Sequence, residues 1–202
     1  MEFKMARQGL KKTFLGEIIQ ISSAVLTAVG ALFILLHLSL TGFILMSVAA
    51  IAFIVGFFFY LFGLVEAGKD EPSFKKAFIT VIIVLVVSVA SVILNSVPNV
   101  PGLVGDILKA AENVATLLVT IFTILGIMEL ARKKKDQKMV SNGNIISLIE
   151  LILFGINTVL YVIPGLLGQI GEVISLISAI VSVLTYIALL VYIYKAVKML
   201  EK

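Results

Sequence analysis

Three kinds of residue are scarce in this sequence. Cysteine is absent, histidine occurs once, and charged residues make up 14% of the 202 positions. Without cysteine no disulfide can form, which excludes a small secreted domain stapled by disulfides. A lone histidine excludes the paired-histidine zinc motifs, and the chain also has no glycine-rich phosphate loop. We therefore predict no catalytic residue, no metal site and no cofactor.

Apolar residues, by contrast, make up 60% of the chain, and the mean hydropathy is +1.16. A soluble domain has about 45–50% apolar and about 25% charged residues, and it buries only about 70% of the surface of its unfolded chain. The composition therefore excludes a soluble enzyme and a disordered chain. Six membrane helices of about 20 residues need about 120 apolar positions, which is about the number that this sequence supplies.

Runs without charge locate the membrane spans. The longest run, 18–65, is too long for one membrane helix and suits two, with a break at the polar segment 37–42. The later runs predict helices at about 78–97, 112–130, 145–163 and 173–194. Such long, continuous apolar runs do not fit the short alternating strands of a membrane barrel. We therefore predict an all-α, polytopic membrane bundle of six transmembrane helices that forms one domain, 1–202.

The basic residues predict how this bundle is oriented. Fifteen of the sixteen fall on one side of the predicted bundle, and Lys109 alone falls on the other. By the positive-inside rule, this predicts a multi-pass protein of the cell (plasma) membrane with both termini cytoplasmic. The first span lacks a small-residue cleavage site, so we expect it to be retained rather than removed as a signal peptide.

The net charge of +4 is explained by these cytoplasmic helix ends, so the expected partner is the lipid bilayer and not nucleic acid. The densest basic run is the candidate contact with lipid headgroups, and it consists of Arg132, Lys133, Lys134 and Lys135. The alternative for this run is an ordinary solvated loop.

A period of 63 residues runs through the chain. Pro-Gly-Leu-Val-Gly-Asp-Ile at 101–107 matches Pro-Gly-Leu-Leu-Gly-Gln-Ile at 164–170, and Gly-Leu-Val-Glu at 63–66 matches Gly-Ile-Met-Glu at 126–129. Because proline and glycine end helices, the first pair predicts tight turns at the outer ends of two hairpins. The pattern predicts three tandem α-hairpin repeats of about 63 residues, at about 11–72, 73–136 and 137–202.

Polar side chains that share a helix face within the spans form the candidate intramembrane site. They are Glu150, Asn157 and Tyr161 on the fifth helix, and Ser88, Ser91 and Asn95 on the third. One explanation is packing, because small and hydroxyl side chains let helices approach and hydrogen-bond, at about 0.6 kcal/mol for each bond. The same explanation covers the four-residue spacing of small residues in Ser23, Thr27 and Ala31, and in Ala52 and Gly56. The other explanation is a narrow polar pathway with Asn157 near the membrane midplane.

Glu150 is the one acid that the sequence places inside a span rather than at its end. If its helix begins near Ile145, the carboxylate lies about 8 Å from the helix start. We expect it to reach toward the basic segment 132–138. The two alternatives are protonation in a desolvated site and a wet cavity shared with Asn157.

Two functions of different classes fit these features. We expect a non-enzymatic helical bundle that serves as a membrane scaffold, a subunit or an immunity-type interaction protein. Its partner would be another membrane protein or a second copy of the chain. The alternative is a channel or transporter for an ion or small solute. A wet cavity lined by Ser88, Asn95, Asn157 and Ser182 would support transport, whereas a dry, packed centre would support the scaffold.

Overall fold

The computed structural model describes residues 3–96, 102–162 and 168–201, and within these ranges all regular structure is helical. The six helices are α1 (Lys4–Leu35), α2 (Ser39–Ala67), α3 (Pro72–Asn95), α4 (Gly102–Lys133), α5 (Gln137–Val162) and α6 (Gly168–Glu201). Each is long and apolar enough to cross a membrane. The predicted all-helical, six-span membrane bundle is therefore confirmed.

Several helices begin earlier than the charge-free runs predict. The fifth helix begins at Gln137 rather than near Ile145, and the first begins at Lys4 although its apolar run starts at Ile18. Lysine, glutamate and glutamine are good helix formers, so each of these helices begins before the first residue of its apolar run. The predicted Pro-Gly turns begin at Pro101 and Pro164, which lie outside the described residues.

The helices follow one another around a closed ring. Each contacts the next one along the chain, and α6 returns to contact α1. Helix α4 also reaches α6 across the ring. Large apolar side chains cover the outside of the ring, where lipid is the expected solvent, and Leu35, Leu40 and Val92 are among the most exposed.

The buried core lies at the end of the ring that carries both chain termini, which we call the terminal end. All six helices contribute to it, through Ala6 and Leu10 of α1, Leu64 of α2, Phe74 of α3, Ile127 of α4, Met139 of α5, and Tyr192 and Ile193 of α6. The hydroxyl of Tyr192 donates a hydrogen bond to the carbonyl of Met139 at 3.1 Å, which satisfies the polar atom in this apolar setting. The terminal end is therefore closed by tight packing.

Helices α1 and α2 pack along a seam of small residues spaced by seven. The buried seam residues are Gly9, Gly16, Ser23 and Gly30 on α1, and Gly42, Ala49, Gly56 and Gly63 on α2. A Cβ atom added at Gly16 would lie 2.5 Å from the amide nitrogen of Tyr60 and 2.6 Å from the carbonyl oxygen of Gly56. Small residues in this pattern let two helix backbones touch. Of the small residues predicted from a four-residue spacing, Ser23 and Gly56 lie in this seam, whereas Thr27 and Ala31 are exposed. A seven-residue repeat matches two helices that stay side by side over their whole length.

Ionic contacts join the helices at the terminal end. Lys12 pairs with Glu66 at 2.5 Å, so Glu66 links α2 to α1. The side chain of Asp70 accepts a hydrogen bond from the amide of Ala6 at 2.7 Å. Glu71 is buried, caps the start of α3 by accepting from the amide of Ser73, and lies 2.7 Å from the ammonium group of Lys133. These contacts hold the end of α2 and its connection to α3 against α1 on one side and α4 on the other.

The tandem repeat stays a prediction. The glycine seam belongs to the first hairpin, whereas in the second hairpin Gly126 of α4 packs against the aromatic ring of Phe74. The equivalent helix pairs are thus packed by different side chains in the part of the chain that the structure describes.

Candidate functional site

A polar cavity of about 400 Å³ lies in the centre of the ring. Every helix contributes to its wall: Glu17 from α1, Tyr60 from α2, Val81 and Val84 from α3, Thr116, Val119, Thr120 and Thr123 from α4, Glu150 from α5, and Ser182, Tyr186, Leu189 and Ile193 from α6. Leu189 and Ile193 also belong to the packed core. The core is therefore the floor of the cavity and closes it toward the terminal end.

A second cavity of about 350 Å³ adjoins the first and shares Thr116, Thr120, Glu150 and Ser182 with it. It lies between α4, α5 and α6 and reaches Ala110, which is ten residues and about 15 Å from Thr120 along α4. Its upper wall includes exposed residues such as Asn113 and Asn157. The combined cavity therefore extends from the middle of the bundle toward the end opposite the termini.

Glu17 is held in the cavity by its neighbours on other helices. The hydroxyl of Tyr186 donates a hydrogen bond to its carboxylate. Tyr60 and Thr123 line the same cavity as this carboxylate. The adjacent Gly16 brings the backbone of α1 against that of α2 at Tyr60, so the glycine seam places the side chains of Glu17 and Tyr60 together.

Glu150 lies at a depth similar to that of Glu17. Glu17 is thirteen residues after the start of α1 at Lys4, and Glu150 is thirteen residues after the start of α5 at Gln137, which is about 20 Å along each helix. The expected reach of Glu150 toward the segment 132–138 is not observed. In the described part of the chain no Lys or Arg side chain lies within 4 Å of its carboxylate, which faces the cavity instead. The helix starts two turns earlier than expected, and this moves the acid away from the basic segment.

The other predicted site residues separate into two groups. Asn157 lines the cavity and accepts a hydrogen bond from the hydroxyl of Ser178 at 2.7 Å, which connects α5 to α6. Ser88 instead donates to Glu112 at 2.5 Å and joins α3 to α4, while Ser91 is buried. The side chains of Asn95 and Tyr161 lie outside the described part of the chain.

Glu17, Tyr60 and Tyr186 are cavity residues that were not predicted from the sequence. Glu17 immediately precedes the first charge-free run, so it resembles a residue at the end of a span. The 63-residue period could have identified the two tyrosines as site residues. It relates positions 60, 123 and 186, and all three side chains line the central cavity.

Two of the four predicted headgroup contacts form salt bridges within the chain. Arg132 pairs with Glu129 on the same helix. Lys133 binds Glu71 and lies 5.8 Å from the centre of the Phe3 ring. Lys135 forms the turn into α5 with a positive φ of 59°. In the described ranges Lys134 and Lys135 have no acidic partner within 4 Å, so only half of the run is available to another molecule.

Fold and cavity together define a multi-pass membrane helix bundle with a polar cavity at its centre. Among the described residues, no group of three or more His, Asp or Glu side chains is arranged to hold a metal ion. Comparison with protein families, with curated proteins and with solved structures finds no significant match to this chain.

Proposed function

We propose that this protein is a channel or transporter that moves a small monovalent cation through its central cavity. The observation that supports this most strongly is the placement of Glu17 and Glu150 in one cavity lined by all six helices. No Lys, Arg or His is among the described residues that line the two adjoining cavities. Two ionised carboxylates would therefore make the cavity strongly attractive to cations.

The energetic cost of these acids supports the same conclusion. An ionised acid at the centre of a membrane helix costs about 2.5–3.5 kcal/mol on insertion scales, and such residues by default mark ion and substrate pathways. The hydroxyls of Tyr60, Thr120 and Ser182 supply oxygen atoms that can replace part of a cation's water shell. A scaffold needs none of these groups, so the cavity favours transport over the scaffold, subunit or immunity-type interpretation. The proposed transport requires no chemical step, so we also propose that the protein is not an enzyme.

Flux in liposomes tests the proposal. The purified protein is reconstituted, and fluxes of potassium, sodium and protons are measured beside protein-free liposomes. We expect flux of at least one of these cations from the wild type, and a reduction of about tenfold or more in Glu17→Gln and in Glu150→Gln. Loss of one charged contact worth about 1.4 kcal/mol gives a factor of ten. In Glu17→Gln the new amide oxygen can still accept the hydrogen bond of Tyr186, so folding should be unaffected.

Glu129→Gln is the matched control for charge, because Glu129 is exposed and pairs with Arg132 outside the cavity. It should retain wild-type flux. Absence of flux of all three cations from correctly folded wild-type protein would contradict the transport proposal and leave the scaffold, with a membrane-protein partner or a second copy of the chain, as the better explanation.

We further infer that the protein lies in the cell membrane with the terminal end in the cytoplasm, supported by the fifteen-to-one distribution of basic residues. Because the chain has no native cysteine, single cysteines can report the orientation. Ser39→Cys, at the α1–α2 turn, should react with an impermeant maleimide in intact cells, whereas Asp136→Cys should react only after permeabilisation. Labelling of position 136 in intact cells would contradict this orientation and place the terminal end outside the cell.

A further inference from the structure

A third cavity, of about 290 Å³, lies at the terminal end between α5 and α6. Its walls are Asp136, Lys138, Met139, Asn142, Lys195, Lys198 and Met199, none of which lines the central cavity. It is therefore a separate site with a different chemistry.

The charge of this cavity is positive on balance. Lys138, Lys195 and Lys198 are exposed and stand against one acid, Asp136, whose carboxylate accepts the amide hydrogen of Met139 at 3.0 Å. Lys198 also contacts Glu201 at 3.1 Å. Among the described residues Lys138 and Lys195 have no acidic partner within 4 Å. The start of α5 adds the positive end of a helix dipole.

A separate apolar groove lies farther along the same two helices, seven residues from the basic cavity on α5 (Asn142 to Ile149) and fourteen on α6 (Lys195 to Val181). It has a volume of about 260 Å³ and is lined by Ile149, Ile152, Leu153 and Ile156 of α5, and by Ile174, Ile177, Ser178 and Val181 of α6. Asn142 of the basic cavity, Ile149 and Ile156 are spaced by seven residues, so they lie on one face of α5. From Asn142 to Ile156 this face is about 21 Å long.

A basic cavity at the terminal end and an apolar groove farther along the same helix pair match the two parts of an amphiphile, whose acyl chain can extend from one to the other. We propose that the α5–α6 face binds an anionic phospholipid, with its phosphate at Lys138, Lys195 and Lys198 and an acyl chain in the groove. Met139 and Met199, which are flexible and apolar, form the wall next to the headgroup. The site differs from the predicted headgroup contacts at 132–135, because none of those four residues lines this cavity.

Binding is measured by native mass spectrometry of the full chain in mild detergent, with phosphatidylglycerol and phosphatidylcholine of identical acyl chains as probes. We expect phosphatidylglycerol to bind at least tenfold more tightly. The triple variant Lys138→Gln, Lys195→Gln, Lys198→Gln should lower its affinity by about 100-fold, since each lysine near a lipid surface contributes about fivefold.

Lys4→Gln, Lys11→Gln and Lys69→Gln combined is the matched control, because it removes three charges from the same end of the bundle outside the cavity. It should stay within threefold of the wild type. Equal losses in both triple variants would overturn the site in favour of diffuse surface charge. Equal binding of the two lipids would overturn headgroup recognition. Full competition by inorganic phosphate would overturn the lipid as ligand and indicate that the site binds a soluble anion. Replacement of the three lysines by arginine should retain binding because the positive charges are kept, and loss of binding in that variant would contradict recognition by charge. Unchanged binding of phosphatidylcholine by the glutamine variant checks that this variant is folded.

Discussion

Gly16→Ala is expected to destabilise the bundle by about 2 kcal/mol, a large effect for the addition of one methyl group. The new Cβ atom would lie 2.5 Å from the amide nitrogen of Tyr60 and 2.6 Å from the carbonyl oxygen of Gly56. Both are backbone atoms of α2, so no side-chain rotation can relieve the contact. The two helices have to separate, and the remainder of the seam loses contact.

Gly155→Ala is the matched control, and its effect should have the opposite sign. No atom lies within 4 Å of a Cβ built at Gly155, which is exposed on α5. Alanine is favoured over glycine within a helix by up to about 1 kcal/mol, so this variant should be neutral or slightly stabilised. Both are compared by thermal unfolding in the same detergent. A Gly16→Ala protein as stable as Gly155→Ala would show that α1 and α2 do not touch along this seam.

The same variant connects packing to the cavity. Gly16 precedes Glu17 and contacts the backbone of Tyr60, so separation of α1 from α2 moves both cavity side chains. Gly16→Ala protein that still folds should therefore lose cation flux even though no cavity side chain has been replaced.

The number and class of the helices could be predicted from the sequence, because lipid imposes long apolar runs that are visible without any tertiary information. The helix starts could not. The helices include the charged residues before Ile18 and the polar residues before Ile145. Glu17 and Glu150 therefore lie farther from their helix starts than the apolar runs indicate. A glutamate next to the first apolar residue of a span looks like a helix end unless the helix start is known.

The composition of the cavity could be predicted only in part. Glu150 and Asn157 were found because one helix face is fixed by its own periodicity. Their neighbours Tyr60 and Tyr186 belong to other helices, and which faces meet depends on the rotation of six helices in the ring. Ser88 shows the same limit, because its polar face turns to Glu112 on the adjacent helix rather than to the cavity. The glycine seam was also visible in the sequence, but at a spacing of seven rather than four.

The transport proposal requires the cavity in the middle of the bundle to be wet and negatively charged, and cysteine accessibility tests this without knowledge of the transported cation. Single cysteines replace Thr120 and Ser182, which line the cavity, Ile187, which is 51% exposed on the outside of the ring, and Ile127, which is fully buried in the core. Thiol reagents react with the thiolate, which needs water to form. Cationic and anionic methanethiosulfonates of similar size are compared in proteoliposomes.

We expect cysteines at 120 and 182 to react, and the cationic reagent to be faster by at least tenfold. Glu17→Gln combined with Glu150→Gln should abolish this preference, and cysteines at 187 and 127 should not react. If cysteines at 120 and 182 are as unreactive as the one at 187, the centre of the bundle is dry and the transport proposal is wrong.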